Sequence, residues 1–154
     1  MMTNHAPHDA VPRSTRSVIA GAQGRVLVTR PGPSIISVGL AGRDVGDLAD
    51  ALGREIASDL ELPAPPQLFV DARKTVGVSM MMSHAWARWF TRNRDRLGRV
   101  ALLTGSGFLR LTGDFVRSFA GLDQKLDLFV DPAAFLRAQD HAARSTRESS
   151  TRRL

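Results

Sequence analysis

Cysteine is absent from the 154 residues, which excludes disulfide bonds, a thiol nucleophile and cysteine-ligated metal sites. Long apolar runs are also missing, since no stretch approaches the roughly 18 apolar residues that span a bilayer. A secretory signal needs an uninterrupted apolar stretch of roughly 7 to 15 residues, and Pro7, Asp9, Pro12 and Arg13 interrupt each candidate. We therefore expect a soluble, cytoplasmic protein whose stability comes from packing.

Residues 25–140 carry no large excess of either positive or negative charge. The whole sequence carries a net charge of +6, but residues 25–140 hold 15 basic and 13 acidic side chains. A dedicated nucleic-acid binder should gather its basic residues on one face or stripe of the folded domain. The near balance of charge therefore argues against a specific nucleic-acid partner.

Familiar catalytic and metal-binding patterns are equally scarce. The sequence has no GxSxG elbow, no P-loop lysine with its serine or threonine, and no HExxH pair. His84 is the only histidine within residues 25–140, and no pattern of further ligands surrounds it. We expect His84 to be a helix-surface imidazole. The sequence thus predicts no catalytic residue, no metal and no cofactor.

Short apolar runs alternate with longer segments of helical period. The runs predict strands at residues 25–30, 34–40, 67–72, 99–104 and 126–130, and the spacing predicts helices over about 45–60, 79–97, 108–120 and 132–139. Pro31, Gly32 and Pro33 turn the first two strands into a hairpin. This order predicts an α/β fold with a mostly parallel five-stranded sheet, an N-terminal β-hairpin and about four helices.

Capping residues and the two ends set the predicted limits of this domain. Asp44 is a candidate cap for the first helix, and Asp131 before Pro132 is typical of an N-cap followed by proline at the first helical position. Residues 1–24 are polar without a sustained period, and residues 141–154 are basic without an apolar face. We therefore expect a disordered N-terminal segment, a domain over residues 25–140 and a disordered basic tail.

Two features stand where α/β folds place functional groups. Asp71 comes at the carboxyl end of a predicted central strand. Gly105, Ser106 and Gly107 follow the next strand and precede a helix, so their amides are candidates for binding an anion. An ordinary strand-to-helix turn is the alternative, because Arg110 replaces the third glycine of a dinucleotide fingerprint. An enzyme acting through Asp71 and this turn requires both to share one pocket.

The second predicted helix carries more large apolar residues than one buried stripe requires. They are Met80, Met81, Met82, Trp86, Trp89 and Phe90. Methionine adapts to irregular partners and tryptophan dominates interface energies, which favours a contact surface for a protein or a lipid. Burial of all six in the core is the alternative.

A family resemblance rests on the element order and on the segments LFVDARKTVGVS, RVALLT and LDLFVDPAAFLRAQ. Over residues 25–140 the chain resembles SpoIIAA-like STAS domains, the fold of anti-sigma-factor antagonists, and especially their divergent STAS/SEC14-like branch. The resemblance implies that the central strand, its loop and the following helix dock a partner. It also implies a phosphorylatable serine at the helix start, for which Ser79 is the nearest candidate. A purely structural N-cap is the alternative for Ser79.

The leading hypothesis is a non-enzymatic regulatory or adaptor domain that binds a protein partner. Met80, Met81 and Trp86 would provide apolar contact, beside Ser79, while Arg73 and Lys74 orient the partner and speed the encounter. The alternative is a domain that binds a small apolar ligand or lipid in a cavity between the second and third helices. The fold relation of the divergent branch to lipid-carrying domains implies this second function.

Overall fold

A six-stranded sheet with the strands in sequential order forms the centre of the molecule. The computed structural model describes residues 16–43, 45–75, 80–105, 117, 121–122 and 124–152. The strands are β1 (Arg16–Ala20), β2 (Gly24–Gly32), β3 (Ile35–Gly42), β4 (Gln67–Thr75), β5 (Val100–Leu103) and β6 (Leu126–Phe129). Strands β1 to β3 pair antiparallel and β3 to β6 pair parallel. The predicted hairpin followed by parallel strands is confirmed.

Within the described residues, the helices of more than one turn are α1 (Ala49–Glu55), α2 (Ala57–Leu60), α3 (Met80–Asn93) and α4 (Pro132–Thr151). The single helix predicted over residues 45–60 is therefore divided. Ile56 separates α1 from α2, with φ −102° and ψ 7°, and its side chain is fully buried. Leu48 caps α1 without a side-chain hydrogen bond, and Asp44 lies outside the described residues.

The sheet has one more strand than the sequence indicated, because β1 falls within the segment predicted to be disordered. Along β1, Ser17 and Ile19 face the helices. The Ser17 hydroxyl donates to Glu55 Oε1 at 2.7 Å, and Ile19 packs against the main core. Pairing with β2 satisfies the backbone along one side of β1. The predicted disorder is therefore wrong for residues 16–24.

Helix α4 also contradicts a prediction, because it continues through residues expected to form a disordered tail. Ala142 and Ala143 are buried against the sheet, and a Cβ placed on Gly32 would lie 3.4 Å from the Cβ of Ala143. Arg147 Nη2 donates to the carbonyl of Pro31 at 3.0 Å. The small side chains of Ala142 and Ala143, rather than a stripe of leucines, pack this end of the helix against the sheet. The helix ends at Thr151.

The sheet separates two apolar cores. The larger lies under α1, α2 and α3 and includes Val26, Val28, Leu52, Leu68, Trp86 and Trp89. The smaller lies under α4 and includes Ile35, Phe69, Ala101, Leu103 and Phe135. Because the central strands are covered on both faces, they read as nearly continuous apolar runs in the sequence. The ends of these strands are the places where polar side chains reach the surface.

The start of α4 agrees with its predicted cap. Asp131 Oδ1 accepts a hydrogen bond from the amide of Ala133 at 3.0 Å, and Pro132 occupies the first turn. The side chain thus satisfies one of the amides that the helix itself leaves without a partner. This cap fixes the point at which the chain leaves β6 and turns back over the sheet.

Candidate functional site

Arg73 and Lys74 are adjacent and exposed near the carboxyl end of β4. The register explains why. Gly39 of β3 pairs with Asp71, and pairing resumes with Ala41 opposite Lys74, so β4 has one extra residue in this interval. Successive side chains of a regular strand point to opposite faces, but a β-bulge of this kind resets the alternation. Two successive cations therefore reach solvent at one place.

An ion pair fixes the guanidinium of Arg73 on this surface. Arg73 Nε donates to Asp71 Oδ1 at 3.0 Å, and Arg73 Nη2 donates to Oδ2 at 2.8 Å. The backbone amide of Arg73 also donates to Asp71 Oδ1, at 3.1 Å. The two parallel contacts from the guanidinium give the pair a defined geometry, as bidentate pairs do. Arg73 is thus held in one orientation.

The same contacts control the protonation of Asp71. Burial raises the pKa of this carboxyl, but the hydrogen bonds from Arg73 and the positive charges of Arg73 and Lys74 together outweigh burial. The pKa of Asp71 is therefore lower than its ordinary value. A carboxylate of lowered pKa is a weak proton acceptor near pH 7. Asp71 acts here as a fixed negative partner for Arg73.

Two further cations extend this surface. Arg43 directly follows the end of β3, and Arg25 lies on β2. The register places Arg25, Ala41 and Lys74 in one row across three strands. We call Arg25, Arg43, Arg73 and Lys74 the basic edge. Among the side chains that the structure describes, no carboxylate lies within 4 Å of the charged groups of Arg25, Arg43 or Lys74.

The ends of β4 and β5 bring Arg73 beside the predicted anion-binding turn. Asp71 pairs with Leu103, and a Cβ placed on Gly105 would lie 4.0 Å from Cγ of Arg73. Gly105 is exposed, whereas Ser106 and Gly107 lie outside the described residues. Anion binding at this turn therefore stays a prediction. The contact with Arg73 adds a cation that sequence reasoning did not associate with the turn.

Trp86 belongs to the core and not to an exposed contact surface. Its side chain is 8% exposed, and its ring centroid lies 6.3 Å from the rings of both Trp89 and Phe90. Trp89 and Phe90 meet edge to face at 5.1 Å. This aromatic cluster belongs to the larger core, which removes Trp86 from the predicted docking surface.

Other predicted site residues fall outside what the structure describes. Met80 and Met81 belong to the first turn of α3, but their side chains are not among the described ones, and Ser79 precedes the described part of the helix. The predicted third helix, and with it one wall of the predicted apolar cavity, lies outside the described residues apart from Arg117. Apolar docking, phosphorylation of Ser79 and acyl-chain binding all stay predictions.

No described helix combines the length and the apolar character needed to cross a bilayer. No three described histidine, aspartate or glutamate side chains are grouped so that they hold a metal ion.

Replacing Arg73 with methionine is expected to raise the pKa of Asp71, because burial is then opposed only by Lys74 and the backbone amide. In the wild-type chain the lowered pKa contributes stability above the unfolded pKa of about 3.9. That contribution is lost as the pH falls through the folded pKa of Asp71. Carboxyl ¹³C NMR titration measures the change. Lys74→Met is the control and should produce a smaller rise, whereas an unchanged pKa in Arg73→Met would contradict the assigned cause.

No family model and no curated protein matches the sequence. Solved structures of other proteins share the fold. One is an anti-sigma factor antagonist from Mycobacterium paratuberculosis, with 17% identity and a TM-score of 0.50, covering 80% of this chain and 95% of the other. The second is an uncharacterised DUF3478-family protein with a SpoIIAA-like fold from Shewanella loihica, with 11% identity, a TM-score of 0.50 and coverage of 80% and 91%. The chain therefore has a SpoIIAA-like fold, as the family resemblance implied.

Proposed function

We propose that this chain is a non-enzymatic regulatory or adaptor domain that binds an acidic surface of a protein partner through the basic edge. The observation that carries the proposal is the bulge in β4, which exposes Arg73 and Lys74 side by side. The anti-sigma factor antagonist that shares the fold supports a regulatory role of the same general kind.

The charges of the basic edge suit recognition of an acidic partner. Asp71 compensates Arg73, but Arg25, Arg43 and Lys74 have no such compensation among the described side chains. Exposed charges of one sign steer an oppositely charged partner and set its orientation more than they add affinity. Arg73 loses little side-chain freedom on binding because Asp71 already holds it. The edge thus combines one cation that an ion pair holds in place with three that form no ion pair among the described side chains.

The chemistry of Asp71 favours binding over catalysis. A general base works best when its pKa is near the operating pH, whereas the contacts of Asp71 move its pKa in the opposite direction. Both carboxylate oxygens of Asp71 accept hydrogen bonds from Arg73. These contacts make Asp71 a positioning group for Arg73, which supports an adaptor role over the enzyme hypothesis.

Charge reversal on the basic edge tests the proposal. Immobilised full-length protein captures partners from an extract of its native cells, and mass spectrometry quantifies them. We expect Lys74→Glu and Arg43→Glu to reduce capture of the specific partner at least about tenfold, because like charges then face each other. Raising the salt concentration should weaken wild-type capture as well, because salt screens exposed charges.

Arg144→Glu provides the matched control, because Arg144 is exposed on α4 and the charge change is identical. Capture by this variant should equal that of the wild type, and circular dichroism and melting temperature should be unchanged in all three variants. Undiminished capture by both single variants, Lys74→Glu and Arg43→Glu, would contradict the proposal. A loss of capture in Arg144→Glu as large as theirs would contradict it as well.

A further inference from the structure

A groove lies between α4 and strands β4, β5 and β6, away from the face that α1, α2 and α3 cover. Its volume is about 490 Å³, which is within the range of small-molecule sites. Phe69, Ala101 and Phe129 line it from the sheet. Ala138 and Ala142 line it from the helix, and these small side chains leave open the space that a larger apolar residue would fill. We call this space the α4 groove.

The two phenylalanines that line the groove both pack against Phe135 of α4. Phe135 meets Phe69 edge to face with ring centroids 5.8 Å apart, and it meets Phe129 in the same way at 5.7 Å. Phe69 and Phe135 are buried, whereas Phe129 is only half-buried. The flat side of a ligand ring can therefore pack on an aromatic surface that its neighbours hold in place.

The charged groups that line the groove are the two guanidiniums of Arg99 and Arg137 and the carboxylate of Asp127. Arg137 and His141 are one helical turn apart on α4, so they project from the same face. Arg99 Nε donates a hydrogen bond to Asp127 on the sheet side of the groove, so the charge of this carboxylate is compensated by the charge of Arg99. Among the described side chains, no carboxylate forms an ion pair with Arg137. The groove thus joins an apolar floor to a guanidinium that forms no ion pair with any described carboxylate.

We propose that the α4 groove binds a small organic anion with a flat apolar body, such as an aromatic carboxylate. The carboxylate would bind Arg137, with His141 beside it, and the ring would lie against Phe129 and Ala101. Charge complementarity selects an anion, and packing on the aromatic floor favours a flat body. The proposal does not depend on the basic edge, because it uses different residues.

Titration of ¹⁵N-labelled full-length protein with 2-naphthoate tests the proposal. We expect saturable NMR shifts at the amides of Ala101, Phe129, Ala138 and Ala142. Arg137→Gln should weaken binding at least about tenfold, because it removes a charge-assisted hydrogen bond. The uncharged analogue 2-naphthalenemethanol should bind at least tenfold more weakly for the same reason. Arg144→Gln, an exposed change on the same helix outside the groove, should leave the affinity unchanged.

Filling the groove gives a second, steric test. Ala138→Leu should abolish the shifts at Ala101 and Phe129 while the protein stays folded by circular dichroism. If Ala138→Leu does not fold, Arg137→Gln decides alone, because Arg137 is exposed and its replacement leaves the core unchanged. Equal affinity for the acid and the alcohol, or saturable shifts confined to other parts of the chain, would overturn the proposal.

Discussion

Gly42→Ala is expected to lower the free energy of unfolding by about 3 kcal/mol, which corresponds to a fall in melting temperature of roughly 6 to 12 °C for a domain of this size. Gly42 has φ +119°, and an added Cβ would lie 2.4 Å from the carbonyl oxygen of Gln23 and 2.5 Å from Cα of Gly24. Both neighbours are backbone atoms, so a side-chain rotation does not relieve the clash. Thermal unfolding followed by circular dichroism measures the loss.

Gly39→Ala is the matched control, because Gly39 lies on the same strand. Among the described atoms, an added Cβ there would meet only the Cβ of Leu27, at an ordinary distance of 3.8 Å. We expect Gly39→Ala to be neutral or slightly stabilising, since alanine costs less conformational entropy than glycine. Equal melting temperatures for Gly39→Ala and Gly42→Ala would contradict the close approach of β3 to the turn before β2.

Asp59→Ala is expected to lower the free energy of unfolding by about 2 kcal/mol, because it leaves a largely buried guanidinium without its main partner. Arg30 Nη2 donates to Asp59 Oδ2 at 2.9 Å, and Nε donates to Oδ1 at 3.2 Å. The side chains of Arg30 and Asp59 are only 16% and 9% exposed. Glu55 Oε1 lies 3.7 Å from Arg30 Nη1, so Glu55 still compensates part of the charge of Arg30 and reduces the loss of unfolding free energy. Denaturant unfolding measures it.

Asp50→Ala provides the exposed counterpart of this change. Asp50 pairs with Arg92 at 3.6 Å, and both side chains are largely exposed. Exposed pairs of this kind contribute little to stability, so the melting temperature should hardly change. The two results together test whether burial decides the strength of these ion pairs. A loss in Asp50→Ala as large as that in Asp59→Ala would refute this distinction.

The central strands were predictable because strands buried on both faces are nearly continuous apolar runs in the sequence. Strand β4 begins at Gln67, as predicted, and β5 and β6 lie within the runs RVALLT and LDLFV. The start of α4 was equally predictable, because Asp131 followed by Pro132 is a local capping signal. These features depend on short-range sequence alone.

The elements that sequence reasoning missed depend on partners distant in the chain. Strand β1 has only two large apolar residues, and its backbone is satisfied by β2 rather than by any local pattern. The far end of α4 is held by Ala142 and Ala143 against the sheet, and small side chains give little periodic signal. Ile56, which interrupts the first predicted helix, is buried in the main core, so tertiary packing outweighs local helical preference there.

The candidate site was predictable only in part for the same reason. Arg73 and Lys74 follow an apolar strand, so the sequence indicated that they lie at its surface end. The bulge that exposes both side chains depends on the register between β3 and β4, which no local pattern specifies. Arg25 lies in the same row as Lys74 because both pair with Ala41 of β3, and the sequence does not indicate this pairing. The burial of Trp86 was one of two open alternatives, because an aromatic helix face looks the same in a core and in an interface.

Hydrogen–deuterium exchange of the full-length chain, with and without the captured partner, tests the docking surface most directly. If the basic edge is the docking surface, partner binding slows exchange of the amides in residues 71–75 and at the end of β3, while α4 is unaffected. Slower exchange confined to α4 or to β1, with residues 71–75 unchanged, would contradict docking through the basic edge.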